Sequence, residues 1–273
     1  RAPPGRTNAY VVGADPALLV DPATADERLD ALADERGVGA VAVTHHHPDH
    51  VGAVARSADR RDATVWARTG RTEAFRSATG VEPDRTFAEG TQIETGSGAV
   101  RVLDTPGHAP EHVAFAVGGG RAAGDAASEA GAPSGEDDAA DVALLCGDLA
   151  VAEGSVVVGA PEGGVRAYLT ALRRVHAMGP GRLWPGHGPA IEGGDVRGTV
   201  AWLVDHRLDR ERRVRTAVED GAGTVAEVCD AAYEKDLTGV RDLAEATVRA
   251  HLEKLAVEGA VRWDGERTGR VRG

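Results

Sequence analysis

The apolar run Val38 to Val43 ends directly in Thr44-His45-His46-His47-Pro48-Asp49-His50. A short run of this kind reads as a buried strand, and imidazoles and carboxylates crowd the point where it stops. On extended chain residues i and i+2 face the same way, so His45 and His47 share a face. A turn after them can bring Asp49 and His50 round to meet the first pair. Neutral imidazole and carboxylate together suit zinc, with manganese or iron as substitutes. His46 falls between two ligand positions and is expected to point away. Gly52 follows, where a helix is expected to start close to the site. A strand end, a turn and a helix start are thus tied to one point.

The arrangement recurs along the chain. Val100 to Leu103 leads into Thr105-Pro106-Gly107-His108, and Leu144-Leu145-Cys146-Gly147 leads into Asp148. Leu183-Trp184-Pro185-Gly186 leads into His187-Gly188. The opening run resembles the H-x-H-x-D-H signature of the metallo-β-lactamase superfamily. The three later motifs resemble that family's remaining ligand loops, in the family's order. The resemblance covers about residues 8 to 200.

The resemblance implies an α/β (α+β) fold, the αββα sandwich. It also implies two divalent metal ions, zinc ahead of manganese or iron. His45, His47 and His108 would hold the first ion, Asp49, His50 and His187 the second, with Asp148 bridging. A metal-bridging hydroxide would be the nucleophile. Asp49 stands where it could both ligate and accept a proton, so Asp49 and Asp148 are the expected catalytic carboxylates. Asp21 ends a strand, as does an aspartate of the superfamily that orients a ligand loop; it reads equally as a polar strand end. His112 is open between a substrate-side and a supporting role. His176 and His251 are expected to be structural, and Cys146 a buried thiol. No organic cofactor motif is present.

With 273 residues, 42% of them hydrophobic, the chain can build one large domain and a small one. Cys146 and Cys229 give no disulfide framework, no apolar run is long enough to span a membrane, and no secretory leader is read. A cytoplasmic location is therefore expected. The net charge is −12, and of 31 basic residues only Lys235 and Lys254 are lysines. This composition is similar to that of salt-adapted proteins, whose carboxylates stay hydrated while salt screens their repulsion. A GC-rich genome alone would also exchange lysine for arginine. In a salt-adapted background an acidic total does not exclude a nucleic-acid substrate. Residues 205–273 hold 13 basic and 15 acidic side chains, so most of the net charge lies before them.

Pattern and punctuation predict the following elements. Asn8–Val12 and Leu18–Asp21 form a hairpin, Asp26–Arg36 a helix, Val38–Val43 a strand, and Asp49–Ala58 a helix. Thr64–Ala67 is a strand; Thr91–Glu94 and Ala99–Asp104 form a second hairpin. His112–Val117 and Val142–Gly147 are strands and Val165–Met178 a helix. Residues 118–141, rich in Gly, Ala and acids, read as a mobile surface insertion. The tail reads as three helices, Val196–Asp220, Thr224–Tyr233 and Arg241–Glu258. Leu243, Val248, Leu252 and Leu255 face inward on the third, and a hairpin through Asp264-Gly265 follows. Helix, helix, helix and hairpin is the outline of a winged helix. The expected division is a catalytic domain over 1–204 and a winged-helix-like domain over 205–273.

The tail resembles that of the β-lactamase-like branch that includes single-strand endoribonucleases. On that resemblance the chain is a metal-dependent hydrolase acting on single-stranded RNA. Arg262, Arg267, Arg270, Arg272 and the arginines between 207 and 215 are then candidate phosphate contacts; otherwise they are a solvated, salt-bridged surface. The alternative is a glyoxalase II-like thioesterase, which shares the opening motif. A β-lactamase in the strict sense and a ligand-sensing DNA-binding regulator are weaker readings. No membrane partner is expected; the sequence leaves the oligomeric state open and is compatible with a homodimer.

Overall fold

Strands β1 (Tyr10–Gly13) and β2 (Ala17–Val20) form the first hairpin, and β2 is buried throughout. Its residues alternate between two cores. Ala17 and Leu19 join Ala33, Val54 and Phe75, whereas Leu18 and Val20 join Ile93, Val102 and Phe115. A strand buried on both faces needs a packed layer against each. The structure, a computed structural model describing residues 6–118 and 141–271, supplies those layers.

The first sheet continues in parallel through β3 (Val38–Ala42), β4 (Thr64–Arg68) and β5 (Arg85–Phe87), in the order β1-β2-β3-β4-β5. Helices α1 (Glu27–Glu35), α2 (Pro48–Val51), α3 (Val54–Arg61) and α4 (Thr72–Thr79) supply apolar side chains to its outer core. The second sheet holds β6 (Gln92–Thr95), β7 (Gly98–Asp104), β8 (Val113–Val117), β9 (Ala143–Gly147), β10 (Arg182–Pro185) and β11 (Ile191–Glu192), in sequential order. Helix α5 (Val165–Met178) and the first half of α6 (Gly194–Glu219) cover it. Leu144 and Cys146 of β9 face these helices, and Leu145 faces the other sheet. The layers are helices, sheet, sheet, helices, as expected.

Direction fixes where the ligand loops meet. β9 and β10 are parallel, and β7 runs with them because β8 is antiparallel to both β7 and β9. His108, Asp148 and His187 therefore leave the sheet at one edge.

Two expectations need correction. The helix expected over 49–58 is two helices, α2 and α3, broken at Gly52-Ala53. Gly52 packs on the Ala23 carbonyl, where a Cβ would collide, and the Ala53 N–H donates to Pro22 O at 2.8 Å. Leu243 is 47% exposed, not inward. The buried stripe of its helix runs through Ala244, Val248, Leu252 and Leu255, one position round from it. Helix α4 and the short strands β5 and β11 were not anticipated; β5 buries only Phe87. Of the expected insertion, residues 119–140 lie outside the described residues.

The tail contains α7 (Val225–Ala232), α8 (Arg241–Val257) and the hairpin β12 (Val261–Trp263) with β13 (Thr268–Arg270). Thr224 caps α7 and exchanges hydrogen bonds with Glu227 in a capping box. A separate core holds Val214, Val218, Val228, Leu252 and Val261. Helix α6 runs unbroken through position 204, with Val200 and Leu203 in the core of the second sheet and Val214 in that of the tail. No helix among the described residues is long and apolar enough to cross a membrane.

Candidate metal centre

Asp21 is the root of the site. It follows β2, is 1% exposed and adopts a left-handed φ of 52°, which a non-glycine residue holds only where its surroundings enforce it. Its carboxylate accepts the Thr44 N–H at 2.7 Å, the Thr44 hydroxyl at 2.8 Å and the His50 Nδ1–H at 3.0 Å. The Thr44 hydroxyl proton is thereby committed, so its oxygen accepts from His45 Nδ1 at 3.1 Å. One buried aspartate is thus hydrogen-bonded to one imidazole directly and to a second through Thr44.

The other histidines follow the same logic. His108 Nδ1 donates to Val157 O at 2.7 Å, and His187 Nδ1 donates to Arg6 O at 3.1 Å. His45, His50, His108 and His187 therefore all turn Nε2 toward a common centre. A ring nitrogen tied to an oxygen acceptor fixes the tautomer of the free one. His47 is reversed: its Nδ1 faces His45 and His108 at 3.0 Å each, and its Nε2 lies 3.6 Å from Glu162.

Asp148 stands between the halves. Its Oδ2 is 3.5 Å from His108 Nε2, and its Oδ1 is 3.6 Å from both His50 Nε2 and His187 Nε2. Asp49 Oδ2 faces His187 at 3.3 Å. All seven residues expected as ligands come together, in three overlapping groups whose donor atoms lie within 4.8 Å of one another.

Electrostatics supports a cation here. His50 Nε2 and Asp148 Oδ1 are buried and find no hydrogen-bond partner among the described residues. Such orphaned atoms cost about 1–3 kcal/mol each, and a metal ion between them satisfies both. Burial and the neighbouring imidazoles push His45 well below its usual pKa, so it is a neutral donor. The hydrogen bond between Asp49 and His187 lowers Asp49 to about 2 and raises His187 to about 9. Nitrogen and carboxylate donors in this mix suit zinc, manganese or iron.

Several positions give the site its fit. His112 is buried below Asp148: its Nε2 accepts the Asp148 N–H at 3.0 Å, and its Nδ1 donates to Thr105 Oγ1 at 2.9 Å. It holds the backbone of a cluster residue and is not on the substrate side. At Gly186 a Cβ would lie 2.6 Å from both Asp148 Oδ1 and His50 Cε1, so no side chain fits. Thr7 Oγ1 donates to Asp49 O at 2.6 Å, and Asn8 Nδ2 donates to Pro185 O and Gly188 O, which ties the start of the chain to two ligand loops. His46 points away as expected, packed on Phe75 and close to Glu111. Cys146 is buried, which raises its thiol to about 12. His112 was legible as a histidine just after the third ligand loop; the parts played by Thr44 and Glu162 carried no comparable signal.

A family model described as the metallo-beta-lactamase superfamily matches residues 2–187. The chain belongs to that superfamily. Superfamily membership makes the chain a metal-dependent hydrolase. It is 26% identical to "Beta-lactamase-like protein 2 homolog" of Drosophila melanogaster, over 94% of this chain and 84% of that one. It is 33% identical to a hydroxyacylglutathione hydrolase of Methylococcus capsulatus, over 61% of this chain and 54% of that one. A metallo-beta-lactamase family protein of Thermus thermophilus superposes with a TM-score of 0.71 at 25% identity, covering 97% of this chain and 94% of that one.

The surface near the superfamily site has two further features. A cavity of about 480 Å³ runs beside α6, lined by Ala152, Gly154, Ile191, Asp195, Thr199 and Trp202, and none of the seven cluster residues lines it. Most of the tail arginines already have partners. Arg207 donates to Val156 O, Arg210 to Ala232 O, Arg212 to Asp209, Arg215 to Glu219 and Arg262 to Arg270 O. The β12–β13 hairpin packs near Arg215 and Glu219, roughly 12–18 Å along α6 from Arg207 at 1.5 Å per residue. Arg272 lies outside the described residues.

Proposed function

We propose that the chain is a two-metal hydrolase in which His45, His47 and His108 hold one ion, Asp49, His50 and His187 hold the other, and Asp148 serves both. The observation that carries this is the span of Asp148, one oxygen toward His108 and the other toward His50 and His187. Divalent ions there, zinc first, supply Lewis acidity and make water nucleophilic near neutral pH. Asp49 is exposed at the mouth of the cluster, in position to accept the proton that the attacking water gives up. The buried His45 and His50 close the floor of the site to solvent.

For the substrate we infer an acyl ester or thioester. The similarity to a hydroxyacylglutathione hydrolase supports it, as does a 24% identity with an Aspergillus fumigatus atrochrysone carboxyl ACP thioesterase over 86% of this chain. The second reading is cleavage of single-stranded RNA, with residues 205–273 as a winged-helix-like module. It rests on the helix, helix, helix and hairpin order of the tail, into which the likeness to the Drosophila protein extends.

The deciding experiment loads the protein with zinc or manganese and measures metal content and turnover together. The substrates are an acyl-glutathione thioester, bis-p-nitrophenyl phosphate, a single-stranded RNA oligomer and nitrocefin. Two ions per chain with thioester turnover is the expected result. One ion at saturation would overturn the two-metal assignment, and RNA cleavage without thioester turnover would promote the second reading.

A further inference from the structure

Arg207 lies in α6, 20 or more residues from every residue of the cluster, yet it is 3% exposed. Its guanidinium donates to the Val156 carbonyl. The next carbonyl, that of Val157, accepts the Nδ1–H of His108 at 2.7 Å and so turns His108 Nε2 toward His47 and Asp148. The same guanidinium lies over the Tyr168 ring, 5.3 Å from its centroid. Tyr168 is fully buried, and its hydroxyl donates to Leu149 O at 2.6 Å, one residue after Asp148. Gly107, one residue before His108, has a positive φ of 139° and packs against the Tyr168 backbone, where any Cβ would collide. The Val156 segment is also tied to α8, because Ala160 N donates to Ala246 O at 3.0 Å.

Burying a guanidinium carries a high desolvation cost, which its contacts must offset. Here its planar fork meets a carbonyl in one direction and an aromatic face in the other, a combination that lysine cannot reproduce. The two groups it touches lead, one residue each way, to His108 and Asp148. The remaining cluster residues lean on other supports: His45 and His50 on Asp21, His187 on Arg6.

Resting on the two-metal reading above, we propose that Arg207 and Tyr168 are the positioning pair for His108 and Asp148. On this view helix α6 serves the metal centre by holding two of its ligands, not by contacting substrate. Partners of metal ligands typically carry about 10–100-fold in metal affinity. The pair should matter most for the ion held by His108 and less for the one held by Asp49, His50 and His187.

The test is zinc and cobalt binding by Arg207→Met, Arg207→Lys and Tyr168→Phe beside the unaltered chain. It reads equilibrium dialysis against a competing chelator, the visible absorption of bound cobalt and the melting temperature of the chelated protein. In Arg207→Met the ion held by His108 should bind about 10–100-fold more weakly, with an altered cobalt spectrum, while the second, which depends on the pair only through Asp148, should weaken less. Arg207→Lys should recover only part of the loss, and Tyr168→Phe, whose lost hydroxyl acts beside Asp148, should show a smaller loss at both ions. Unchanged affinity for both ions in folded Arg207→Met overturns the proposal, as does equal weakening of both. If Arg207→Met does not fold, the other two variants decide: wild-type affinity and spectrum in both overturns it. An unaltered chain that binds fewer than two ions would instead sink the two-metal reading itself.

Discussion

The Asp21 carboxylate accepts the Nδ1–H of His50 at 3.0 Å, with both side chains excluded from solvent. The same carboxylate fixes Thr44, and through it His45. One residue outside the seven-residue cluster is therefore tied to two of its imidazoles.

Asp21→Asn keeps the shape and removes the charge. The amide oxygen can still accept the Thr44 N–H, but the NH₂ in place of Oδ2 then meets both the Thr44 hydroxyl and His50 Nδ1–H. The expected outcome is a loss of about 10–100-fold in affinity for both ions, measured by chelator competition. Loss confined to one ion would count against the shared role of Asp21.

Gly186→Ala tests the space between Asp148 and His50. The added Cβ would sit 2.6 Å from Asp148 Oδ1 and from His50 Cε1, so one of them must move. Metal content at saturation should fall below two per chain while far-ultraviolet circular dichroism is retained. Full metal content would show that the loop yields and that the tight fit is not required.

His206 gives a pH prediction. Burial, then the charges of Arg207, Arg210 and Arg213, lower it from 6.5 to about 4. Between those values the unfolded chain binds a proton that the folded chain does not, so stability falls as pH drops from about 6.5 toward 4. Above that window the group contributes no slope. His206→Gln should flatten the decline, read as melting temperature against pH for both proteins in chelator. Parallel curves would refute it.

Salt should raise stability. The net charge of −12 lies mostly before residue 205, and added salt shortens the screening length to about 3 Å at 1 M. Melting temperature should climb from low to molar KCl. A flat or falling series would remove the case for salt adaptation.

The sequence alone determined which residues could form the site and in what order. His45, His47, His108, Asp148 and His187 each follow an apolar run, so local pattern places them at strand ends. The alternation of Ala17, Leu18, Leu19 and Val20 between two cores likewise rests on a period of two that is local by nature. Tertiary structure alone decided what each side chain does there. His108 finds its acceptor 49 residues away in Val157, and His187 finds its own 181 residues away in Arg6. His112 stays open between a substrate-side and a supporting role until the Asp148 N–H occupies its Nε2. Arg207 reads as part of a basic surface until packing turns it inward onto Val156 and Tyr168. The break at Gly52 depends on the carbonyl of Ala23, which no window around Gly52 contains. Ligand identity is a property of residue type and strand register, which neighbours in sequence encode. Tautomer, burial and support depend on partners that only folding brings within hydrogen-bond reach.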